Sequence, residues 1–326
     1  MTNKAEHLSS LFTSHLGIYQ QSLSKRLPES LYAPCVYILS LGGKRVRPLL
    51  ALAGAEMFGA APEVALDSAL AVELFHNFSL IHDDILDNAP LRRGQATVHE
   101  KWGRDTAILS GDVMMVQSVR VLETYTPIQY FQLSQLLNKT ATEVCEGQQW
   151  DMDFEKSTTV TVEAYIQMIA AKTAVLLGCS LQMGAICAGA TEKNQLAIYN
   201  FGVNIGIAFQ LNDDLLDAFP SDGFGKQPGG DILADKKTFL LLKAISLATG
   251  EVQKTLEACL AGHYKAAEKI DTVTRIYKEL GVDRLCRQLA DDYTSKAFSL
   301  LDSIEVPEGN KAFLRAYAKQ LLHRQV

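Results

Sequence analysis

Hydrophobic residues recur along this chain at spacings of three and four, which is the period of one face of an α-helix. The pattern is clearest over residues 64–86, 165–188 and 196–219, and several of these segments are apolar on nearly every side. Helices that are apolar all round lie at the centre of helical proteins. No convincing alternation of apolar and polar residues indicates a β-strand. The pattern therefore predicts long, buried helices.

Proline placement supports the same fold. None of the nine prolines lies between Pro127 and Pro220 or between Pro228 and Pro307, and those stretches are rich in Ala, Leu, Gln, Glu and Lys. No stretch has the composition of a linker, so we predict one domain over residues 1–326. We expect an all-α bundle of about a dozen helices, with loops at residues 88–96, 123–128 and 220–231.

Composition argues against several classes of partner. The 326 residues are 48% hydrophobic and carry a formal net charge of −6. This acidic balance gives no support to nucleic-acid binding or to a basic membrane-binding patch. The N-terminal stretch MTNKAEHLSSLF is not a signal peptide and no apolar run is long enough to span a bilayer, so we expect a cytoplasmic protein with no integral membrane segment. The six cysteines form no CxxC pair, which favours reduced thiols.

Two aspartate clusters with the same spacing stand far apart in the chain. The first cluster is Asp83, Asp84 and Asp87, and the second cluster is Asp213, Asp214 and Asp217. On a helix that turns about 100° per residue, the outer aspartates of each cluster share a face and the middle one flanks it. If the clusters face each other, each like pair at about 4 Å costs roughly 4 kcal/mol at an effective dielectric near 20, so bound cations are needed. Carboxylate oxygens in this number favour Mg²⁺, which usually carries a phosphorylated substrate.

Lysine and arginine residues lie close to both clusters in the sequence. Arg92 and Arg93 follow the first cluster, and residues 42–48 (GGKRVRP) form a small-residue turn followed by more cations. Lys226 and residues 236–238 (KKT) follow the second cluster. Arginine binds phosphate oxygens in pairs and lysine adds point charges, so these residues could neutralise a diphosphate.

Seven motifs occur in the chain in the following order: GGKRVRP, ELFHNFSLIHDDILDNAPLRRGQATVH, GQQWDM, AKTA, FQLNDDLLD, FGKQPGGDI and KKTF. Over nearly its whole length the chain resembles the trans-isoprenyl (polyprenyl) diphosphate synthases, and among them the short-chain geranylgeranyl and farnesyl diphosphate synthases. The resemblance implies a single helical bundle of the isoprenoid synthase type with a central active-site cavity. It also implies Mg-dependent, head-to-tail condensation of isopentenyl diphosphate with an allylic diphosphate.

The same resemblance implies roles for individual residues. Lys44, Arg47, His76 and Arg93 would bind the diphosphate of isopentenyl diphosphate, and Arg92, Lys172, Lys226 and Lys236 would bind the allylic diphosphate. Lys172, through its carbonyl, Thr173 and Gln210 would act in catalysis by steadying the allylic cation. All six aspartates would bind Mg²⁺, three ions per active site, with Mn²⁺ as a substitute. Helical spacing supports one of these assignments: His76 lies about 20° from Asp83 on an ideal helical wheel, so both side chains are on the same face of the helix.

The reaction that the resemblance implies is driven by charge. Mg²⁺, arginine and lysine stabilise negative charge on the departing diphosphate, so that the allylic carbon–oxygen bond ionises. Water would quench the allylic cation, so the cavity must be apolar and closed. The double bond of isopentenyl diphosphate attacks the cation and the released diphosphate takes the C2 proton. No side chain is needed as a base.

Product length depends on the side chains one or two helical turns before Asp83. The candidates are Phe75, Phe78 and Ser79. On an ideal wheel Phe78 lies about 140° from Asp83 and Ser79 only about 40° away, so spacing alone favours Ser79. In the family, an aromatic residue at the position of Phe78 is the short-chain pattern. We therefore expect C20 geranylgeranyl diphosphate, with C15 farnesyl diphosphate or a longer polyprenyl product as alternatives.

Three other classes of protein fit the sequence less well. A class I terpene cyclase shares the fold, but its second metal motif typically mixes Asn, Ser or Thr with Glu, whereas this chain has a full DDLLD. A non-catalytic subunit of a heteromeric synthase should have lost an aspartate or a diphosphate-binding residue, and this chain has lost none. Neither cluster has the alternating acids and central glycine of an EF-hand calcium loop.

The resemblance also implies a homodimer. Residues 107–122 (AILSGDVMMVQSVRVL) are apolar enough to form the contact between subunits. Packing inside one chain is equally compatible with this sequence, so both interpretations stay open.

Overall fold

The computed structural model describes residues 2–220 and 229–322, and it confirms the predicted all-α class. The chain divides into two compact units. Unit 1 comprises residues 1–141, 179–199 and 304–314, and unit 2 comprises residues 142–178, 200–303 and 315–326. Several of the boundaries between the units fall inside continuous helices. The single domain expected from the sequence stays a prediction.

The helices are numbered in chain order. They are α1 (Thr2–Leu23), α2 (Glu29–Ser40), α3 (Val46–Met57), α4 (Leu66–Leu86), α5 (Val98–Trp102), α6 (Arg104–Arg120), α7 (Pro127–Lys156), α8 (Val162–Ile169), α9 (Val175–Cys187), α10 (Glu192–Ala218), α11 (Gly230–Leu233), α12 (Phe239–Leu247), α13 (Gly250–Leu260), α14 (Ala266–Glu279), α15 (Val282–Ser303) and α16 (Glu308–Leu322). Short 3₁₀ turns cover Pro62–Ala65 and Val121–Thr124, and a π-helical turn covers Ala170–Ala174.

The three segments with the clearest helical period are confirmed as helices. Residues 64–86 form the end of a 3₁₀ turn and α4, residues 165–187 belong to α8, the π-helical turn and α9, and residues 196–218 lie in α10. The last two helices therefore end one residue before the predicted segments do. By length and composition alone, Pro62–Leu86 and Val162–Cys187 could cross a membrane. However, 67% and 78% of their most apolar windows are buried inside the protein, as in the core helices of a globular fold.

In unit 1, helices α3 and α9 approach each other so closely that a side chain would not fit between them. A Cβ atom on Gly54 would lie 2.6 Å from the carbonyl oxygen of Leu181, and one on Gly184 would lie 2.0 Å from that of Ala51. Only glycine permits this contact. It fixes α3, whose first turn follows the cationic segment 42–45.

The loop predicted over residues 88–96 contains a β-hairpin that the sequence pattern did not predict. Strands β1 (Leu91–Arg92) and β2 (Gln95–Ala96) pair antiparallel, with Leu91 opposite Ala96. Arg93 and Gly94 form the turn with φ values of 54° and 74°, which are the left-handed values that a two-residue hairpin turn requires. The hairpin returns the chain to α5.

The other two predicted loops differ in outcome. The loop predicted over residues 123–128 is shortened from both sides, by the 3₁₀ turn Val121–Thr124 and by α7, which begins at Pro127. In the loop predicted over residues 220–231, helix α11 begins at Gly230, and residues 221–228 lie outside the described part of the chain.

Unit 2 has a hydrophobic core to which helices α8, α10 and α12–α15 all contribute. Threonine side chains begin two of these helices: the hydroxyl of Thr161 accepts a hydrogen bond from the backbone of Ala164, and that of Thr238 from Leu241. Thr238 is the last residue of the KKT run. Its cap therefore fixes where Lys236 stands relative to α12.

Candidate active site

The first aspartate cluster lies at the C-terminal end of α4. Asp83 and Asp84 belong to the last turn of the helix, and Asp87 is the residue that follows it. Asp84 is buried, Asp83 is half-buried and Asp87 is exposed. A buried carboxylate is stable only with hydrogen-bond donors inside the protein, so Asp84 requires a partner.

Arg92 on β1 is that partner. Its Nε atom lies 2.9 and 2.8 Å from the two carboxylate oxygens of Asp84, and its Nη2 atom lies 2.7 Å from Oδ1. Nη2 also lies 3.8 Å from Oδ2 of Asp83. The hairpin therefore places a fixed guanidinium beside the first cluster, as the sequence position of Arg92 suggested.

Arg93 occupies the hairpin turn and contacts the glycine pair 42–43. Its Nη1 group donates a hydrogen bond to the carbonyl of Gly42. A Cβ atom on Gly43 would lie 2.7 Å from the guanidinium carbon of Arg93, and the φ of Gly43 is 123°. Burial and the charge of Arg45 lower the pKa of Arg93. The guanidinium of Arg93 therefore packs directly on the backbone of these two glycines.

Arg47 and His76 meet between α3 and α4. The Nη1 atom of Arg47 lies 3.2 Å from Nε2 of His76. Burial lowers the pKa of His76 well below its usual range, and four nearby guanidinium groups lower it further. Neutral His76 therefore accepts this hydrogen bond at Nε2. The Nε atom of Arg47 is buried without a hydrogen-bond partner in the described structure, which leaves a donor for a ligand.

The guanidinium groups that lower the pKa of His76 are those of Arg47, Arg93, Arg92 and Arg45. They come from two separate segments of unit 1, the start of α3 and the β-hairpin. Lys44 lies exposed in the turn before α3. Four guanidinium groups around one neutral histidine form a positively charged region that suits an anion. Of the four residues that the resemblance assigns to isopentenyl diphosphate, the structure brings Arg47, His76 and Arg93 together.

Glu73 supports this site and was missed in the sequence. It is buried in α4 and accepts a hydrogen bond from Nη1 of Arg45. Nη2 of Arg45 donates to the carbonyl of Leu39 at 2.5 Å, and the amide of Asn77 donates to the Glu73 carboxylate at 2.8 Å. Burying a carboxylate is costly without such partners. An acid among apolar residues in the helical segment 66–81 was the available signal.

The second aspartate cluster lies at the C-terminal end of α10, in unit 2. Asp213 is exposed, Asp217 is half-buried and Asp214 is buried. The hydroxyl of Tyr165 on α8 donates to Oδ2 of Asp214, and the amide of Gln210 donates to Oδ1 at 3.0 Å. Asp214 is thus held by neutral donors, whereas Asp84 is held by a guanidinium. Tyr165 was not singled out in the sequence because it lies 49 residues away.

Burial raises the pKa of Asp214 to about 7, although the hydrogen bonds from Tyr165 and Gln210 oppose the shift. Lys236 lies close enough for its charge to stabilise the ionised form. Burial lowers the pKa of Lys236 itself, but the charges of Asp231 and Asp214 outweigh this effect and the net shift is upward. A further cation bound next to Asp214 would stabilise its ionised carboxylate in the same way as Lys236 does.

One small cavity of unit 2 brings together five residues that the resemblance assigned to the site. They are Lys172, Thr173, Gln210, Asp214 and Lys236, and Asp151, Tyr165, Met168 and Ile169 complete the lining. Nζ of Lys172 lies 2.5 Å from Oδ2 of Asp151. Asp151 belongs to the GQQWDM motif, but no role was assigned to it.

The backbone at Lys172 and Thr173 is a π-helical turn between α8 and α9. Such turns disturb the regular backbone ladder and often occur at functional sites. Two glycines hold this turn: a Cβ atom on Gly147 would lie 2.4 Å from the backbone nitrogen of Lys172, and one on Gly206 would lie 2.6 Å from Cα of Ala174. The close approach of α7 and α10 fixes the irregular segment.

The three candidate chain-length residues have different surroundings. Phe75 and Phe78 are buried with ring centroids 5.5 Å apart, and Phe78 also meets His82 at 4.8 Å. His82 in turn packs on Gly111 of α6, where a Cβ would lie 2.4 Å from its Nε2 atom. Ser79 donates a hydrogen bond to the carbonyl of His76. The role of all three in product length stays a prediction.

Two further expectations concern ligand binding. Lys226 lies outside the described residues. Within residues 2–220 and 229–322, no group of three or more His, Cys, Asp or Glu side chains is arranged to hold a metal ion. In each cluster the middle carboxylate faces its protein donors instead. Metal binding by the six aspartates, and an approach of the two clusters to each other, stay predictions.

The chain is similar in sequence and in structure to known prenyl diphosphate synthases. A family model described as polyprenyl synthetase matches residues 28–280. The chain is 36% identical over 303 residues to a geranylgeranyl diphosphate synthase of Methanosarcina mazei, with 91% of each chain covered. It resembles a crystal structure of a geranylgeranyl pyrophosphate synthase with a TM-score of 0.92 and 43% identity, over 99% of each chain. A Corynebacterium glutamicum geranylgeranyl pyrophosphate synthase, complexed with isoprenyl diphosphate and magnesium, gives a TM-score of 0.84 and 28% identity over 99% of each chain.

Proposed function

Because the chain belongs to the polyprenyl synthetase family, we propose that it is a trans-prenyltransferase that condenses isopentenyl diphosphate head-to-tail with an allylic diphosphate. The family and the isoprenoid synthase type of fold expected from the motifs are confirmed. We favour C20 geranylgeranyl diphosphate as the product, because the relatives at 36% and 43% identity are named for it. The observation that carries the proposal is the cavity that brings Lys172, Gln210 and Asp214 together.

The two aspartate clusters have the donor set that suits Mg²⁺. Both offer carboxylate oxygens and neither contains a sulfur or imidazole ligand. The residues that would hold three Mg²⁺ ions, or Mn²⁺ in their place, are Asp83, Asp84, Asp87, Asp213, Asp214 and Asp217. Bound there, the metal would supply Lewis-acid stabilisation of the charge that develops on the departing diphosphate. A relative crystallised with magnesium supports this proposal.

The anion site of unit 1 binds the diphosphate of isopentenyl diphosphate. Arg47 contributes its unpartnered Nε donor, and Arg93 contributes a guanidinium held on the glycine turn. His76 is neutral, so it can donate or accept a hydrogen bond without adding charge. Lys44 is exposed and can move onto a bound diphosphate. Together these groups neutralise the diphosphate and orient the homoallylic double bond.

The allylic diphosphate is bound by cations that stand next to the aspartates. Arg92 is held by Asp84, Lys172 by Asp151 and Lys236 by Asp231, whose Oδ1 lies 3.6 Å from its Nζ atom. Lys226 belongs to the same set by its position in the FGKQPGGDI motif. These positive charges stabilise the diphosphate as it leaves, because the negative charge on its bridging oxygen grows during ionisation.

The allylic cation forms beside Thr173, Gln210 and the π-helical turn. The hydroxyl of Thr173, the amide oxygen of Gln210 and the carbonyl of Lys172 supply negative dipoles to it, while Met168 and Ile169 give the cavity apolar walls. The new carbon–carbon bond forms between this cation and the double bond of isopentenyl diphosphate. The released diphosphate takes the proton from C2, so no side chain acts as the base.

The active protein is a homodimer formed through α6. Ile108, Leu109, Met115 and Val116 are exposed large hydrophobic residues at helical spacing on one face of α6. Exposed apolar stripes of this kind mark contacts between proteins, which favours the dimer over packing inside one chain. Sedimentation analysis tests this: the unmodified protein should be a dimer and Val116→Asp a monomer, whereas a monomeric unmodified protein would refute it.

An elongation assay tests the function. The purified protein is incubated with Mg²⁺, isopentenyl diphosphate and, in turn, dimethylallyl, geranyl and farnesyl diphosphate. The products are separated by chromatography and identified by mass spectrometry. We expect an all-trans C20 diphosphate and one inorganic diphosphate per condensation. A C15 product would correct the chain length only. Absence of elongation with every primer would end the proposal.

A further inference from the structure

Lys269 is a buried lysine outside the cavity, in helix α14 of unit 2. Its side chain is 9% exposed, and lysine is almost never buried to this degree unless it is paired. Its Nζ atom lies 2.8 Å from Oδ1 of Asp235 and 3.5 Å from the carbonyl oxygen of Leu233. Neither partner belongs to α14, so the lysine joins this helix to residues 233–235.

The neighbouring residue of α14 contacts the other end of the same segment. Ile270 packs over Gly229, where a Cβ atom would lie 2.8 Å from Cγ1 of the isoleucine. Gly229 has a φ of 82° and Asp235 has a φ of 53°, so both ends of the segment have left-handed backbone. Helix α14 therefore fixes residues 229–236 at two points, by packing at Gly229 and by charge at Asp235.

This segment is in direct contact with the second aspartate cluster. The backbone N–H groups of Gly229 and Asp231 donate to the carbonyl oxygen and to Oδ2 of Asp217, at 2.8 and 2.9 Å. The backbone N–H of Lys236 donates to the carbonyl of Asp231 at 3.0 Å, and the side chain of Lys236 lines the cavity. A shift of the segment would move both Asp217 and Lys236.

We infer that Lys269 is a positioning residue that holds residues 229–236 so that Asp217 and Lys236 stand correctly for the allylic diphosphate. The inference rests on the proposed function. Lys269 does not line the cavity and acts only through Asp235 and Leu233. Loss of its charge leaves the Asp235 carboxylate without this ion pair in a strained backbone, so the segment relaxes away from its active position.

Calorimetric titration with inorganic diphosphate in the presence of Mg²⁺ tests the inference without relying on turnover. We expect Lys269→Met to weaken diphosphate binding at least tenfold. Asp235→Asn should weaken it by a similar factor, and the double variant should bind no worse than either single variant, because all three remove the same ion pair. Lys265→Met is the matched control, since Lys265 is an exposed lysine immediately before α14, four residues from Lys269. It should bind as the unmodified protein does.

Steady-state kinetics provide a second readout. Lys269→Met should raise the KM for the allylic diphosphate at least tenfold and leave the KM for isopentenyl diphosphate within about twofold. If Lys269→Met does not fold, Asp235→Asn carries the same test.

Two results would overturn the inference alone: a lower melting temperature with unchanged diphosphate affinity, or additive losses in the double variant. Absence of diphosphate binding by the unmodified protein would instead overturn the proposed function, and the inference with it.

Discussion

The guanidinium of Arg92 contacts both carboxylate oxygens of the buried Asp84, at 2.7 to 2.9 Å. Contacts to both oxygens fix the orientation of a guanidinium as well as the place of its charge. Arg92 therefore stands in one orientation beside the first aspartate cluster before any substrate binds. The remaining N–H groups of this arginine are available to a diphosphate.

Replacing Arg92 by lysine keeps the charge but removes the paired contact. We expect kcat/KM for the allylic diphosphate to fall about 100-fold in Arg92→Lys, because a lysine in this place is not oriented by Asp84. The KM for isopentenyl diphosphate should change little. Steady-state kinetics with each substrate varied in turn measure both values. Arg93→Lys is the matched control and should raise the KM for isopentenyl diphosphate instead; equal losses for both substrates in Arg92→Lys would contradict this division.

Tyr165 is expected to be necessary for the second aspartate cluster. Tyr165→Phe removes one of the two neutral donors that hold the buried Asp214. Leaving a buried charged group short of a hydrogen bond costs about 1–3 kcal/mol, so turnover should fall about 10- to 100-fold and half-maximal activity should need more Mg²⁺. Tyr293→Phe, which changes a half-buried tyrosine of α15, should leave both values unchanged. Unaltered kinetics in Tyr165→Phe would refute the role of this hydroxyl.

Phe78 is expected to limit the product. Removal of its ring in Phe78→Ala opens space next to Phe75 and His82, so a growing chain could pass the C20 stage. Chromatography of the products should show C25 or longer chains. Phe75→Ala and Ser79→Ala serve as comparisons. Should Phe78→Ala still make only the original product while one comparison variant lengthens it, the limiting position belongs to that residue.

Much of the fold and of the site could be predicted from local spacing. The outer aspartates of each cluster are four residues apart, and the helical period around them locates α4 and α10 without further information. Several of the candidate cations, such as Arg92 and Arg93, lie within a few residues of the first cluster, and Lys44 and Arg47 lie in the GGKRVRP motif. These features depend on neighbours in sequence, which a pattern can show.

Other features could not be predicted, because they depend on contacts between distant residues or on very short elements. Tyr165 meets Asp214 across 49 residues, and Arg45 meets Glu73 across 28. The β-hairpin has two residues in each strand, which is too short for an alternating pattern to appear. The π-helical turn at Lys172 packs directly against Gly147 and Gly206. That no side chain fits at these two positions becomes visible only in the folded structure.

The depressed pKa of His76 predicts a specific dependence of stability on pH. Burial and the four guanidinium groups keep His76 neutral in the folded protein, whereas in the unfolded chain it takes up a proton near its ordinary pKa of about 6.5. The unfolded chain therefore binds more protons than the folded protein below about pH 6.5. The free energy of unfolding is unaffected by His76 above that pH and falls as the pH drops towards the folded pKa of His76, by up to about 1.4 kcal/mol per pH unit.

Replacing His76 by asparagine should remove this contribution. Urea unfolding at pH 7.5, 6.5 and 5.5 should show a smaller loss of unfolding free energy in His76→Asn than in the unmodified protein. His263→Asn is the control, because His263 is exposed. Identical pH profiles for His76→Asn and the unmodified protein would show that His76 is not held neutral.

The central claim is that both aspartate clusters act in one prenyl-transfer reaction. The most direct test is the rate of isopentenyl diphosphate incorporation, with Mg²⁺ and an allylic primer, for the unmodified protein, Asp83→Ala and Asp213→Ala. We predict turnover by the unmodified protein and a loss of at least about 1000-fold in each variant, with the helical circular dichroism retained, since removing one of several like charges does not destabilise the fold. Turnover retained in either folded variant would contradict the account.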